Sequence, residues 1–575
     1  MFGRDDMKSI GVRHPLPGVV YQSHQRLKDY VEKGVLTDET LVSSFRDAAK
    51  RFPQRVALSE IDWSCSYSEL DIMTDKAASA FLRLGLEPGD RVLFQLPNTR
   101  ELMIAFLACL KAGLIPICTL AAHRQIEIGY LGKHAKARAH IVQAGDPRFD
   151  FITFSADMRR EIPSLDITIA TRSVGIQLGD QAHSLEQLID AETTEDARKR
   201  VAAVEHDPYQ VALFQLSGGT TDVPKIIPRF NNEYLYTLRS VVDFHGFDET
   251  LVAYTSNPLM HNAPMSCVWG PAIFFGGEVA ISSSLDAEAV GPLLAQRKPT
   301  WMIVPPVVLF RLKETGWLDR LDFRGIKGFS VMSGVKQFRH FVGGAEAWPL
   351  FGMTEGLLVY CNASDPLEAK YNTVGRPLSE HDEIRILIPE TEDEVPDGEI
   401  GELAVRGPCT IAGYYDAEDR NQVAFTKDGF YRSGDLMRIR VIEGRRYLIF
   451  EGRSKDVVSR GGEKINCAEV ERIALDHPSV NAIAIVGMPD RIYGERSCAY
   501  VIAAAGKTVS VRELGVFLGE KGLAKFKWPE RIEIVPEFPV TSSGKLSKPK
   551  LRDHITKLIE QEEASNSTEK RNWAV

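Results

Sequence analysis

Between Leu216 and Lys225 the chain reads Leu-Ser-Gly-Gly-Thr-Thr-Asp-Val-Pro-Lys, directly after the apolar run Val211-Ala212-Leu213-Phe214-Gln215. A buried strand that opens into small and hydroxyl residues suits the holding of phosphates, because glycines let backbone N–H groups approach anionic oxygens. Gly218 and Gly219 permit that approach, Thr220 and Thr221 add hydroxyl donors, and Lys225 adds a charge. The spacing is not that of a Walker loop, which ends in Gly-Lys-Ser/Thr and opens a helix. Here Pro224 precedes the lysine and Ile226-Ile227-Pro228 follows it. Taken alone, the stretch reads equally well as a surface turn rich in Gly and Thr.

Any polyphosphate must be met by local positive groups, since the 575 residues carry a formal net charge of -9. That balance gives no basic footprint for nucleic acid and disfavours an anionic membrane surface. The length exceeds what one hydrophobic core usually supports, so a large N-terminal part with subdomains and at least one further domain are expected. Cysteines 65, 109, 118, 267, 361, 409, 467 and 498 are scattered, without a Cys-x-x-Cys pair. They read as free thiols in a reducing compartment, and the charged segment Met1 to Leu16 does not read as a secretory signal. A cytoplasmic enzyme is the expectation.

Alternation of period-2 and helical patterns tells which elements must position the loop. Arg91 to Leu96 reads as a strand, Arg100 to Lys111 as a helix, and Gly113 to Leu120 as another apolar run. Residues 139–142 and 167–170 continue the series, which argues for βαβ units and a mainly parallel sheet. Residues 179–207 read as a loop-rich acidic stretch, and residues 232–242 as a helix. From Thr373 short alternating strands between Pro/Gly turns suggest a small β-subdomain. Beyond residue 456 a helix, two strands, a helix and a strand form an α+β domain, followed by a polar tail. A charged corner, Gly452-Arg453-Ser454-Lys455-Asp456, separates the two parts and suits a hinge.

Five separated stretches then occur in a telling order: Ser217 to Lys225, Phe351-Gly352-Met353-Thr354-Glu355-Gly356, Tyr431-Arg432-Ser433-Gly434-Asp435, the corner 452–456, and Ser543-Gly544-Lys545. Together they resemble the adenylate-forming superfamily of acyl-CoA synthetases, peptide-synthetase adenylation domains and luciferases, over about residues 20–555. His261-Asn262, Arg-Gly-Gly-Glu-Lys at 460–464 and Gly494-Glu495-Arg496-Ser497 are most similar to the stand-alone aryl-acid AMP ligases of siderophore assembly. The resemblance implies an α/β fold: a large N-terminal domain of parallel-sheet αβ subdomains with a small β-subdomain, then a small mobile α+β domain. Its boundaries are expected at 1–452 for the adenylation core, 453–455 for the hinge, 456–555 for the lid and 556–575 for the tail.

The implied chemistry is attack of a carboxylate on the α-phosphorus of ATP, with Mg²⁺ on the phosphates and a cation that follows the developing charge. Ser217 to Thr221, Lys225 and Thr354 would surround the phosphates and Glu355 would contact Mg²⁺, although a lone Glu at a helix start is commonly a cap. Phe351, Gly352 and Met353 would line the adenine, with Gly334 and Val335 in place of the family's Gly-Gly-Ala segment. A literal Gly343-Gly344-Ala345 lies only six residues before Phe351, so spacing favours 333–335. Asp435 and Arg453 would meet the ribose, Lys455 would be the hinge, and Lys545 would reach the α-phosphate and the acid. Rotation of the lid would then admit a pantetheine thiol past Gly461-Gly462.

For the acid, Asn262 would donate to an ortho substituent of a benzoate, flanked by His261 and Ala263. Cys267 and Leu358 match the pair expected in salicylate members, where 2,3-dihydroxybenzoate members carry Ser and Val. A thiol is a poor partner for a 3-hydroxyl and Leu fills the space, yet an apolar wall rejects an added hydroxyl only weakly. Asp222 in place of the usual Gly, and Ala263 in place of an aromatic, depart from the pattern. The expected acceptor is a phosphopantetheinyl aryl carrier protein, as the chain ends without the roughly 80 further residues of a fused carrier. Free coenzyme A as acceptor, and a non-catalytic nucleotide or aryl-acid binding protein, are the alternatives.

Overall fold

The computed structural model describes residues 10–572 apart from 218–223, 333, 454–455, 461–462, 491–492, 522, 524 and 542–544. It divides into two compact units: one runs to Glu383 and includes Val405–Tyr431, and the other comprises Ile384–Ala404 and the chain from Arg432.

The first unit contains two sheets flanked by helices. One has seven strands in the spatial order Ala182–Ser184, Ile167–Thr171, Ala139–Gln143, Arg91–Gln95, Ile115–Ile117, Val211–Ser217 and Lys225–Phe230. All neighbours are parallel except the last two, which form a hairpin pairing Ser217 with Lys225. The other has nine strands: Arg376–Pro377, Leu358–Tyr360, Ala347–Gly352, Gly328–Val331, Trp301–Ile303, Val252–Thr255, Glu278–Ala280, Val56–Ser59 and Ser64–Ser66. From Ala347–Gly352 to Val56–Ser59 its strands are parallel. Both faces of such sheets must be covered, which is why these strands are continuous apolar runs. The helices Tyr67–Arg83, Arg100–Lys111 and Asn231–His245 supply the shared core, with Phe81, Phe106, Leu238 and Trp269 fully buried.

Residues 179–207 hold more structure than their composition suggests. A short strand leads into helices Leu185–Asp190 and Thr194–Ala202, capped by the Ser184 and Thr193 hydroxyls. Only Leu185, Ala197 and Val201 are buried from these helices, so periodicity is weak and the caps are the better signal.

In the second unit, strands Glu383–Leu387, Gly401–Arg406, Tyr431–Ile442 and Arg445–Arg453 form the small β-sheet. A five-stranded sheet follows, built on the long antiparallel pair Val480–Asp490 and Gly494–Ala503, and helices Cys467–Ala474, Val511–Glu520 and Lys548–Asn572 accompany it. The last helix runs on through the polar tail. Leu551 and Ile555 are buried near Tyr500, and Leu558 and Ile559 extend the same face at helical spacing. At the charged corner Gly452 has φ +114°, and a Cβ there would stand 3.0 Å from the Asn466 Oδ1 that caps Cys467–Ala474. All eight cysteines are free and buried. Among the described residues no helix is long and apolar enough to cross a membrane.

Candidate active site

In an open parallel sheet, ligands bind beyond the carboxyl ends of the strands. Four consecutive neighbours of the nine-stranded sheet deliver the sequence-selected residues to that edge. His261-Asn262-Ala263 follow Val252–Thr255, and Pro305-Pro306 follow Trp301–Ile303. Gly334 and Val335 follow Gly328–Val331, while Met353-Thr354-Glu355 follow Ala347–Gly352. Gly334 adopts φ +67° as the N-cap of helix Val335–Phe341, and Val335 turns its side chain into the core. Gly343 and Gly344 lie beyond that helix, ahead of the next strand's amino end.

Glu355 sits in a hairpin turn and not at a helix start. Met353 N–H donates to Leu357 O at 3.2 Å and Gly356 N–H to Met353 O at 3.2 Å, joining Ala347–Gly352 to Leu358–Tyr360. The side chain is 7% exposed, and its Oε1 accepts the Tyr414 hydroxyl at 2.8 Å. Tyr414 in turn accepts the Tyr431 hydroxyl at 2.8 Å. Burial, with the Glu355 charge beside it, pushes the Tyr414 hydroxyl far above its ordinary range and keeps it a donor. Oε2 of Glu355 accepts no hydrogen bond among the described residues, which leaves an oxygen for a hard cation. Lys225 Nζ stands 4.9 Å from the Tyr414 ring centroid.

Behind the turn lies Arg229, fully buried. Its Nη1 donates to Thr354 O at 2.7 Å and its Nε to Glu233 Oε2 at 3.1 Å, with Nη2 also on Glu233. Nη2 further reaches Cys409 O at 3.3 Å. Burial would pull the guanidinium down, but the Glu233 carboxylate more than offsets it and the pKa is raised.

The acid-side residues form a second cluster. Asn262, 5% exposed, accepts the Tyr234 hydroxyl on Oδ1 at 3.0 Å, and its backbone carbonyl accepts Ser266 Oγ at 2.8 Å. His261 is the N-cap, its Nδ1 accepting Ala263 N–H at 3.4 Å. Cys267 belongs to a π-helical turn, Met265–Trp269, a rare form often found at functional sites. The Trp301 indole anchors the turn by donating to Cys267 O at 2.8 Å. The thiol itself is buried, 3.4 Å from Ser266 Oγ, and burial pushes it up to about 11, so it stays protonated at neutral pH. Leu358 is 4% exposed and pairs across the hairpin with Gly352, where a Cβ would stand 2.6 Å from Leu358 Cδ2.

At the phosphate loop, Ser217 Oγ is shielded from solvent without a hydrogen-bond partner among the described residues. A shielded hydroxyl without a partner at the end of this strand fits an anionic ligand that supplies the missing hydrogen bond. Gly218, Gly219, Thr220, Thr221 and Asp222 lie outside the described residues, as do Lys455, Gly461 and Gly462.

Within the second unit, Asp435 and Arg453 are cross-strand partners, with Arg453 Nε donating to Asp435 Oδ1 at 3.0 Å. Asp435 is 5% exposed and follows Gly434 at φ +72°. Lys545 is exposed; Thr541 N–H donates to Lys545 O at 2.7 Å and Lys545 N–H to Thr541 Oγ1 at 3.2 Å.

Sequence reasoning passed over Arg229, Glu233, Tyr234 and Tyr414. A charged pair at i, i+4 that begins within an apolar strand, Arg229 and Glu233, was the available signal, because isolated charges are seldom so placed. Tyr414 carried none, since its partner is distant in sequence.

Comparison with known proteins adds an independent line. A family model described as AMP-binding enzyme matches residues 45–415, and one described as AMP-binding enzyme C-terminal domain matches residues 469–545. The chain is 36% identical over 540 residues to the 2,3-dihydroxybenzoate-AMP ligase of Bacillus subtilis, covering 92% of this chain and 96% of that protein. It is 34% identical over 574 residues to the salicyl-AMP ligase / salicyl-S-ArCP synthetase of Mycobacterium tuberculosis, covering 94% and 96%. The apo structure of MbtA from Mycobacterium smegmatis aligns with a TM-score of 0.69 at 32% identity, covering 93% of this chain and 98% of that one.

Proposed function

The chain belongs to the AMP-binding enzyme family, and from that premise we propose that it is an aryl-acid AMP ligase. It joins an aromatic carboxylic acid, salicylate or a related 2-substituted benzoate, to AMP and then passes the acyl group to the phosphopantetheine thiol of an aryl carrier protein. The carboxylate oxygen attacks the α-phosphorus of ATP, and the bond to the bridging oxygen breaks as pyrophosphate leaves with the electron pair. In the second step the thiol sulfur attacks the acyl carbon and loses its proton to solvent, and AMP departs with the electron pair of the acyl C–O bond.

Each group has a part set by its chemistry. Asn262, its Oδ1 held by Tyr234, turns its amide N–H groups toward the acid's ortho oxygen. Glu355 holds Mg²⁺, which when bound neutralises the phosphates. Ser217, Lys225 and the Gly218 to Thr221 loop take the phosphates. Phe351 to Thr354, Gly334 and Val335 line the nucleotide, and Asp435 with Arg453 takes the ribose. Lys545 follows the charge in the transition state, and residues 453–455 with Lys455 act as the hinge of a lid over 456–555. His261, Ala263, Cys267 and Leu358 shape the aryl pocket. The chain works in the cytoplasm, where its buried thiols stay reduced.

One observation carries the reading: Asn262 and Glu355 issue from the same carboxyl edge of one sheet, each fixed by a tyrosine hydroxyl. Acid-dependent ATP–pyrophosphate exchange across a panel of benzoates tests it. Exchange is expected with 2-hydroxybenzoate above benzoate and only with Mg²⁺ present; no exchange with any aromatic acid would overturn it. Thioester formation is expected to be faster with a phosphopantetheinylated carrier than with coenzyme A, and the reverse order would assign the acceptor to coenzyme A.

A further inference from the structure

We infer that Arg229 is a positioning residue that couples the acid subsite to the metal-binding turn, an inference that rests on the proposed reaction. Its guanidinium makes two kinds of contact at once. Along its edge, Nη1 donates to Thr354 O at 2.7 Å, the carbonyl of the peptide that leads into Glu355. Over its face, the guanidinium carbon lies 4.8 Å from the Tyr234 ring centroid, and Tyr234 donates its hydroxyl to Asn262 Oδ1 at 3.0 Å. One planar cation thus fixes the backbone of the metal carboxylate and the ring that orients the acid's amide anchor.

The residue types suit the task. Guanidinium offers five donors in a rigid plane with two faces, whereas an ammonium has three donors and no face. Glu233 takes Nε and Nη2, which holds the plane and leaves Nη1 aimed at Thr354. The helix Asn231–His245 carries both Glu233 and Tyr234, so motion of the Tyr234 ring and of the Arg229 plane is shared through one rigid element. An acid that pulls on the Asn262 amide is therefore felt at Thr354, and a misplacement near 1 Å at such a group costs about 100-fold in rate.

A plain core ion pair would hold the fold without linking the subsites, and kinetics separate the two. In Arg229→Lys the half-saturating Mg²⁺ concentration is expected to rise about 10-fold, while the preference for 2-hydroxybenzoate over benzoate falls about 10-fold. Tyr234→Phe is expected to lower the acid preference and leave the Mg²⁺ requirement in place. Glu233→Gln, which keeps the packing and loosens the guanidinium, is expected to shift both quantities, less than Arg229→Lys; it serves where Arg229→Lys does not fold. A uniform fall in kcat, with Mg²⁺ half-saturation and acid preference both unchanged in Glu233→Gln and Arg229→Lys, would overturn the coupling. Wild-type protein that exchanges with no aromatic acid defeats the reaction itself; active wild type with such unshifted variants defeats only the role of Arg229.

Discussion

Glu355 and Lys545 are both proposed to handle phosphate charge, and their surroundings could hardly differ more. Glu355 is 7% exposed, in a hairpin turn held from behind by Arg229 and from the side by Tyr414. Lys545 is exposed, its backbone bonded to Thr541. A group that would hold a metal throughout a reaction benefits from being fixed beforehand, since donors already in place cost no reorganisation. A cation required only as pyrophosphate departs can stand on a solvated loop, where its charge carries no desolvation cost until it is used. Asp435 and Arg453 combine both situations, a 5% exposed carboxylate paired with a guanidinium whose side chain is 54% exposed.

The contrast can be tested from its largest expected effect downward. Lys545→Ala is expected to lower acid-dependent exchange by about 100-fold or more, with no change in the thermal midpoint, because an exposed loop lysine contributes little to folding. A loss below about 10-fold would break the contrast. Glu355→Gln is expected to cost about 30-fold in kcat/KM for MgATP, read against Mg²⁺ concentration, and unlike Lys545→Ala it should also shift the midpoint. Asp435→Asn should raise the KM for ATP about 10-fold and leave the KM for the acid alone. Cys267→Ser with Leu358→Val should move the preference toward 2,3-dihydroxybenzoate by about 5-fold, and an unchanged acid ranking would remove both residues from the pocket.

The smallest effect on turnover is expected at Asp382, which is buried in the first unit. Burial pushes its carboxyl up from 3.8 to about 6, against hydrogen bonds from Cys409 and Tyr236. Its folded-state pKa is raised, so between these values the folded chain keeps a proton that the unfolded chain has lost. Stability therefore falls as pH rises through that window. Asp382→Asn is expected to match the parent near pH 4 and to exceed it by roughly 1–3 kcal/mol at pH 8 in denaturant melts, with exchange activity unchanged. Equal stability at both pH values would show that Asp382 is well solvated.

Much of the candidate site was legible because its residues are local. The Gly-Met-Thr-Glu-Gly run, the His-Asn pair and the hydroxyl-rich loop are each contiguous, and each follows an apolar strand, the His-Asn pair at a distance of six residues. The strand and helix at 91–96 and 100–111 were equally plain from spacing, and the structure has them at Arg91–Gln95 and Arg100–Lys111. The helices at 185–190 and 194–202 were hidden by their thin buried faces, and the Glu355 turn read as a possible cap because composition cannot separate a hairpin from a helix start.

By itself, the sequence determined the α/β class, the order of the strands along the chain and the chemistry that each short motif could offer, since these depend on neighbours in the chain. Only the tertiary structure decided that Val56–Ser59 joins the nine-stranded sheet, that Tyr414 meets Glu355, and that Arg229 stands between Thr354 and Tyr234. Apart from Arg229 and Tyr234, which are near neighbours in the chain, these partners are dozens to hundreds of residues apart. Parallel pairing and burial, which act through space and carry no local period, bring them together.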